Sequence, residues 1–176
     1  INGARDTTKT NTTSVQTFQS RDFGAYGYVI GSDIEFFSQS TKPHTLQTEF
    51  TLESLMSCSE LPRVDIVYAH GGEDGTFIKA AVKAGAKGIV YAGTGHGTVS
   101  EKAEEALVNA VKAGVIVVRA SRTGSGLVLE GLARWQDAGF IPSRSLSPQK
   151  ARILLELSLA IWGSDLSRIA KAFKTY

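Results

Sequence analysis

The sequence predicts an α/β fold built on a parallel βαβ unit, and three observations carry that prediction. The tetrapeptide Val82-Lys83-Ala84-Gly85 recurs as Val111-Lys112-Ala113-Gly114, 29 residues further on. Each copy ends a helix-like stretch and runs at once into a β-branched segment, Gly88–Tyr91 and Val115–Arg119, which opens into a Gly-rich polar loop, Gly93–Thr98 and Ser121–Gly126. Helix, strand and loop repeating at one offset describe a unit whose strands are parallel and whose crossover is right-handed. Finally, Val115-Ile116-Val117-Val118 is apolar at every position rather than alternate ones, as expected of a strand covered by helices on both faces.

Composition bounds the rest. The 176 residues are 42% apolar, 20% charged and 9% aromatic, a balance that belongs to folded globular chains. A chain of this length buries roughly 70% of its extended surface, enough for one or two compact units. Nineteen basic against seventeen acidic side chains leave a net charge of +2, and the basic runs of nucleic-acid binders are absent, so nucleic acid is not an expected partner. No apolar stretch approaches the roughly 18 residues of a membrane span, since Ile153 to Trp162 is interrupted by Glu156 and Ser158. Cys58 is the sole cysteine. It is expected to be a small core residue, the alternative being a bond to another chain. The opening Ile1-Asn2-Gly3 has no Met and no leader-like pattern, which predicts that something upstream has been removed.

Residues 1–22 are rich in Thr, Ser and Asn without a helical period, and are expected to form a loop or arm. From Phe23 to Phe50, aromatic and β-branched residues punctuated by glycines predict a hairpin, Gly27–Ile30 against Ile34–Ser38, turning at Gly31-Ser32. After Leu61-Pro62 the texture changes. Val64–Ala69 reads as a strand, and Gly75–Ala84 as a helix closed by Gly85. The division is therefore 1–61 and 62–176. The loops after Ala69, Ala92 and Ala120 leave one carboxyl edge of the sheet, where open α/β folds bind ligands. Ser147-Pro148 is a capping serine with proline at the first helical position, starting a helix to about Trp162. Gly163-Ser164-Asp165 breaks it, and a last helix, Leu166–Phe173, presents Leu166, Ile169, Ala170 and Phe173 on one face.

Few residues carry chemistry on their own. His44, His70 and His96 lack the spacing of a zinc motif, so no metal is expected. Gly93-Thr94-Gly95-His96-Gly97 could offer backbone amides to an anion, yet no Lys-Ser/Thr pair follows it, and a small carboxylate or amide ligand fits better than a nucleotide cofactor. Lys9, set among Thr7, Thr8, Thr10 and Asn11, is either a solvated lysine or one held in a polar shell, where desolvation lets it relay a proton to a hydroxyl nucleophile.

Gly3-Ala-Arg-Asp-Thr-Thr-Lys-Thr-Asn-Thr12, Phe23-Gly24 with Gly27-Tyr28, Leu61-Pro-Arg-Val64 with Ile66-Val67-Tyr68, Gly88-Ile-Val90 with Ala92-Gly93 and Gly95, and Ser147-Pro-Gln-Lys-Ala-Arg152 together resemble the bacterial-type L-asparaginase family, in order and over nearly the whole chain. The resemblance implies a two-domain amidohydrolase of the type II, exported branch, periplasmic or secreted rather than cytoplasmic, some members of which also take glutamine. It further implies that the polar arm and hairpin belong to a larger N-terminal α/β domain and that residues 62–176 are the smaller C-terminal one. In that family a threonine hydroxyl attacks the side-chain amide carbon of asparagine, water releases aspartate from the acyl-enzyme, and a second threonine, a lysine and an aspartate handle protons. Lys9 matches that lysine. The family loop that reaches a neighbouring subunit's site falls on Gly93–Thr98, so Thr98 and His96 are carried over as substrate contacts, with His96 where the family has Asn and Thr98 where it has Asn or Ser. Gly126–Asp137 aligns poorly, and Glu130 is its candidate for the glutamate that meets the substrate ammonium.

The nucleophile motif Thr-Gly-Gly-Thr-Ile and the later Thr-Asp pair are nowhere in the chain. The implied partners are therefore L-asparagine or L-aspartate, the N-terminal half of the enzyme, and further copies in a homotetramer. The competing expectations are a non-catalytic amino-acid-binding or regulatory module and a purely structural oligomerisation domain.

Overall fold

The computed structural model describes residues 1–176, which divide into two compact units, Ile1–Pro43 and His44–Tyr176.

The first unit holds two antiparallel pairs. Strands β1 (Thr7–Lys9) and β2 (Phe18–Ser20) lie within the segment expected to be a loop or arm. Side-chain bonds to the backbone order it in place of an apolar core. The Asn11 Oδ1 accepts from the amides of Thr13 (2.8 Å) and Ser14 (2.9 Å), and the Thr10 amide donates to the Thr17 carbonyl at 2.8 Å. The Asp6 carboxylate gathers the Ser20 hydroxyl (2.5 Å) and the amides of Asp22 (3.0 Å) and Phe23 (3.1 Å). Strands β3 (Gly27–Ile30) and β4 (Asp33–Phe36) form the expected hairpin around Gly31-Ser32, the second strand beginning one residue earlier than predicted. Gly31 sits at the first central position with φ +64°, where a two-residue loop demands glycine.

The second unit begins with a 3₁₀ turn, Thr45–Gln47, and helix α1 (Leu52–Leu55), capped by Thr51 and Ser54. Phe50 packs between Trp162 and Tyr176, at centroid distances of 5.4 and 5.3 Å. Cys58 is half-buried in the turn that follows, its thiol donating to the Glu60 carbonyl, so it is not the core residue expected. Cys58 is the single cysteine of these 176 residues, and its thiol is not joined to another sulfur within them.

Four parallel strands then form one sheet in the order β5 (Val64–Tyr68), β6 (Gly88–Gly93), β7 (Ile116–Ser121), β8 (Ile141–Pro142). Helices α2 (Thr76–Lys83) and α3 (Glu101–Lys112) cover one face, packing on Ile89, Tyr91 and Val117. Helices α5 (Pro148–Trp162) and α6 (Leu166–Thr175) cover the other, packing on Val90, Ile116 and Val118. Strand residues alternate between two buried faces, which is why their sequence is apolar throughout. Each fully buried Ile or Leu contributes about 1.5–3 kcal/mol to this sandwich.

The repeated Val-Lys-Ala-Gly is a helix terminus. Gly85 and Gly114 share φ +86°, and the amides of Ala86 and Val115 reach back five residues to the carbonyls of Ala81 (3.1 Å) and Ala110 (3.0 Å). This is the paired closure of a Schellman cap, and it turns the chain directly into the next strand.

A short helix α4 (Ala133–Asp137) and strand β8 were not anticipated; Pro142, which has no N–H to donate, lies at the sheet edge where that lack is tolerated. Helix α5 starts as predicted, the Ser147 side chain accepting from the Lys150 amide. Its first turns fasten it to β5: Gln149 donates to the Tyr68 hydroxyl (2.9 Å) and Arg152 Nε to the Val64 carbonyl (2.8 Å). Arg152 also pairs with Glu156, whose burial the sequence had not suggested. In α6 the buried face is Ile169, Ala172 and Phe173, with Ala170 half-buried; Leu166, in the first turn, is exposed.

Candidate functional site

Three loops meet at the carboxyl edge of the sheet, where the strand register delivers them side by side. The first, His70–Gly75, follows β5. Its Glu73 carboxylate accepts a 2.6 Å hydrogen bond from the hydroxyl of Tyr91, a fully buried residue of β6. Burial, followed by that carboxylate, holds the Tyr91 phenol well above its ordinary pKa.

The second loop, after β6, is a tight turn closed by mutual backbone bonds between Thr94 and Thr98 (3.3 and 2.8 Å). Gly93 is needed at its neck, since a Cβ there would lie 2.4 Å from the Thr98 carbonyl oxygen. The third, after β7, is bound to both others. Arg122 donates from its backbone to the Gly93 carbonyl (3.0 Å) and from Nη1 to the Ala69 carbonyl (2.6 Å), while the Ser121 hydroxyl donates to the Gly95 carbonyl at 2.5 Å.

Beneath the second loop lies Arg119, completely buried in β7. Its guanidinium stacks on Trp135 at 4.3 Å and donates to carbonyls of two separate segments, Gly97 (2.8 Å) and His96 (3.4 Å) from Nη1, Leu129 (2.6 Å) and Glu130 (2.8 Å) from Nη2. Burial lowers its pKa from the usual arginine value, with the charge of Glu130 opposing.

The sequence-derived candidates fall as follows. Thr98 and His96 lie on the second loop and are exposed. The His96 Nε2 accepts the Leu129 amide at 3.1 Å, which sets the ring proton on Nδ1. Glu130 is half-buried, and its carboxylate is paired with Arg144 at 3.2 Å. These three are therefore brought into one cluster. Lys9 belongs to the first unit, exposed on β1, its ammonium 5.4 Å from the centre of the Phe18 ring across the strand pair. His70 sits on the first loop edge-on to Phe77, and His44 begins the 3₁₀ turn. Arg119, Arg122, Glu73 and Tyr91 were not anticipated. A single cation inside an otherwise apolar strand was the available signal, because arginine is almost never fully buried without partners.

Residues 63–173 match the sequence profile described as "Glutaminase/Asparaginase C-terminal domain". The chain is 44% identical to L-asparaginase 2 of Bacillus subtilis over its whole length, covering 45% of that protein. It is 42% identical over 89% of its length to the probable L-asparaginase periplasmic of Haemophilus influenzae, and 40% identical over 98% to L-asparaginase 2 of Escherichia coli, covering 44% and 49% of those proteins. The chain thus spans about half the length of the curated relatives it matches.

Proposed function

Because the chain belongs to the glutaminase/asparaginase family, we propose that the protein carrying it hydrolyses the side-chain amide of L-asparagine to L-aspartate and ammonia, accepts L-glutamine as well, and takes its nucleophile from a preceding half. The observation that carries this reading is that the family match falls on the unit whose three carboxyl-edge loops are laced together around Thr98, His96 and Glu130.

Those loops suit recognition better than attack. Thr98 offers an exposed hydroxyl to the amino-acid end of the substrate. Glu130 brings a carboxylate toward the substrate ammonium, with Arg144 holding it. The His96 Nε2 is already an acceptor for Leu129, and Glu130 is already ion-paired, so neither stands as a free base beside a hydroxyl here. The attacking threonine then comes from the Thr-Gly-Gly-Thr-Ile motif that these 176 residues lack. It adds to the amide carbon, ammonia leaves with a proton relayed through Lys9, and water hydrolyses the acyl ester to release aspartate.

The β3–β4 hairpin supports a missing half: on one of its faces Val29, Ile34 and Phe36 are all more than half exposed, an apolar patch that folded proteins cover. A homotetramer with sites between subunits and an exported location complete the proposal. No helix of the chain is long and apolar enough to cross a membrane.

Ammonia release from asparagine, measured beside intact mass, tests the reading. The full-length protein should turn over and the 176-residue chain alone should not. Turnover by the chain alone would place the nucleophile within it, and an inactive full-length protein that binds aspartate tightly would make this a binding module instead.

A further inference from the structure

We propose that Arg119 is a positioning residue that holds the Thr98 turn and the Leu129–Glu130 segment as one unit and, resting on the amidase reading above, sets substrate affinity through Thr98. Its guanidinium has no acid partner of its own. The Glu130 carboxylate turns to Arg144, and all four acceptors of Arg119 are main-chain carbonyls, two on each segment. Segments more than 30 residues apart in sequence therefore share one cation, and neither can shift without unpairing a buried donor.

The surroundings are shaped to that cation. A Cβ on Gly131 would stand 2.7 Å from Nη2, so glycine there leaves room for the fork, while one on Gly97 would stand 2.9 Å from Val128 Cγ1 and touch Nη1 at 3.4 Å. Trp135 closes the far side. The Nε proton has no partner, so the donors are aimed at the two loops even though one is left unmet. A buried charge without a counter-ion adds little net stability over an apolar residue of similar size. What it does add is geometry: a planar fork fixes two loops at once, which a lysine, a point charge, does not. On the outer side His96 makes a second tie between the same segments by accepting the Leu129 amide. Thr98 follows immediately, one glycine away, so its hydroxyl moves with the pair.

The test uses the full-length protein carrying this chain, with Arg119→Lys, Thr98→Ala and the double variant. In Arg119→Lys, amide hydrogen exchange should accelerate about tenfold or more in residues 94–98 and 128–131 together while α5 keeps its protection. KM for asparagine should rise about tenfold with kcat within about threefold, and in the Thr98→Ala background the same substitution should change KM less than about twofold. Exchange that accelerates in neither segment or in only one overturns the positioning claim, and so does an effect on KM that adds fully to that of Thr98→Ala. If wild-type protein has no amidase activity, the amidase reading fails and the exchange measurement still decides whether Arg119 couples the segments. If Arg119→Lys loses protection everywhere, His96→Ala replaces it: removing the exposed tie should loosen both segments and raise KM in the same direction, and unchanged exchange in that variant refutes the shared unit.

Discussion

Replacing Tyr91 with Phe tests the bond between sheet and site. The ring is fully buried between β6 and the α2–α3 layer, and Phe keeps that packing; what disappears is the 2.6 Å bond to the Glu73 carboxylate, with the weaker interaction of Ser100 with the same hydroxyl. A hydrogen bond to a charged group contributes about 1.5–3 kcal/mol. Glu73 is half-buried, so water can take up the freed oxygen, which places the expected loss near the lower end, about 1.5 kcal/mol. In urea unfolding at pH 7 the midpoint should fall by roughly 0.5–1.5 M.

The same bond predicts a pH dependence with a definite sign. The folded-state pKa of Tyr91 is raised by burial and by Glu73, with Ser100 opposing. Stability from this group is therefore complete below the unfolded tyrosine value of about 10 and is lost as pH rises above it, because the native state keeps a proton that the unfolded state gives up. Each pH unit in that window costs about 1.4 kcal/mol. The wild-type chain should lose stability above pH 10 faster than Tyr91→Phe, so the gap between them narrows. Other tyrosines, including Tyr176, whose pKa is raised by burial and then by Glu49, are common to both proteins and cancel. A Tyr91→Phe variant within about 0.5 kcal/mol of wild type at pH 7, or alkaline curves that run parallel, would refute the reasoning.

Two further outcomes follow from the same structure. Gly97→Ala should destabilise by about 2–4 kcal/mol in urea unfolding, combining φ +72° with a Cβ placed 2.9 Å from Val128 Cγ1 and 3.1 Å from the Ala120 carbonyl oxygen, whereas Gly85→Ala, at φ +86° but facing open space, should cost about 1–2 kcal/mol. Lys9→Met in the full-length enzyme should lower kcat about 10²-fold or more if the lysine relays protons, and a rate within about twofold of wild type would make it a bystander.

Much of the sandwich was legible because its signals are local or periodic. The apolar runs at 64–69 and 115–118, the Val-Lys-Ala-Gly caps and the Ser147-Pro148 helix start each state their own geometry through near-continuous apolarity, a left-handed glycine or a capping hydroxyl. The short strands in the polar arm were not legible, since their order comes from Asp6 bonding to distant backbone and from Asn11 and the threonines bonding to backbone nearby, which leaves no hydrophobic period. Leu166 carried the right period for the α6 core yet faces solvent, because a period names a stripe and only the neighbouring sheet decides how far along the helix that stripe is covered.

The candidate site divides in the same way. Sequence alone determined the α/β class, the carboxyl-edge loops, the family and the residues Thr98, His96 and Glu130 as points of interest, because motifs and loop positions are properties of contiguous chain. Only the tertiary structure decided that the Glu130 carboxylate is paired with Arg144, that the His96 Nε2 is occupied by Leu129, and that Arg119 joins two segments from below. Hydrogen bonds and buried charge depend on which atoms come within 3 Å after folding, and sequence separation carries no record of that distance.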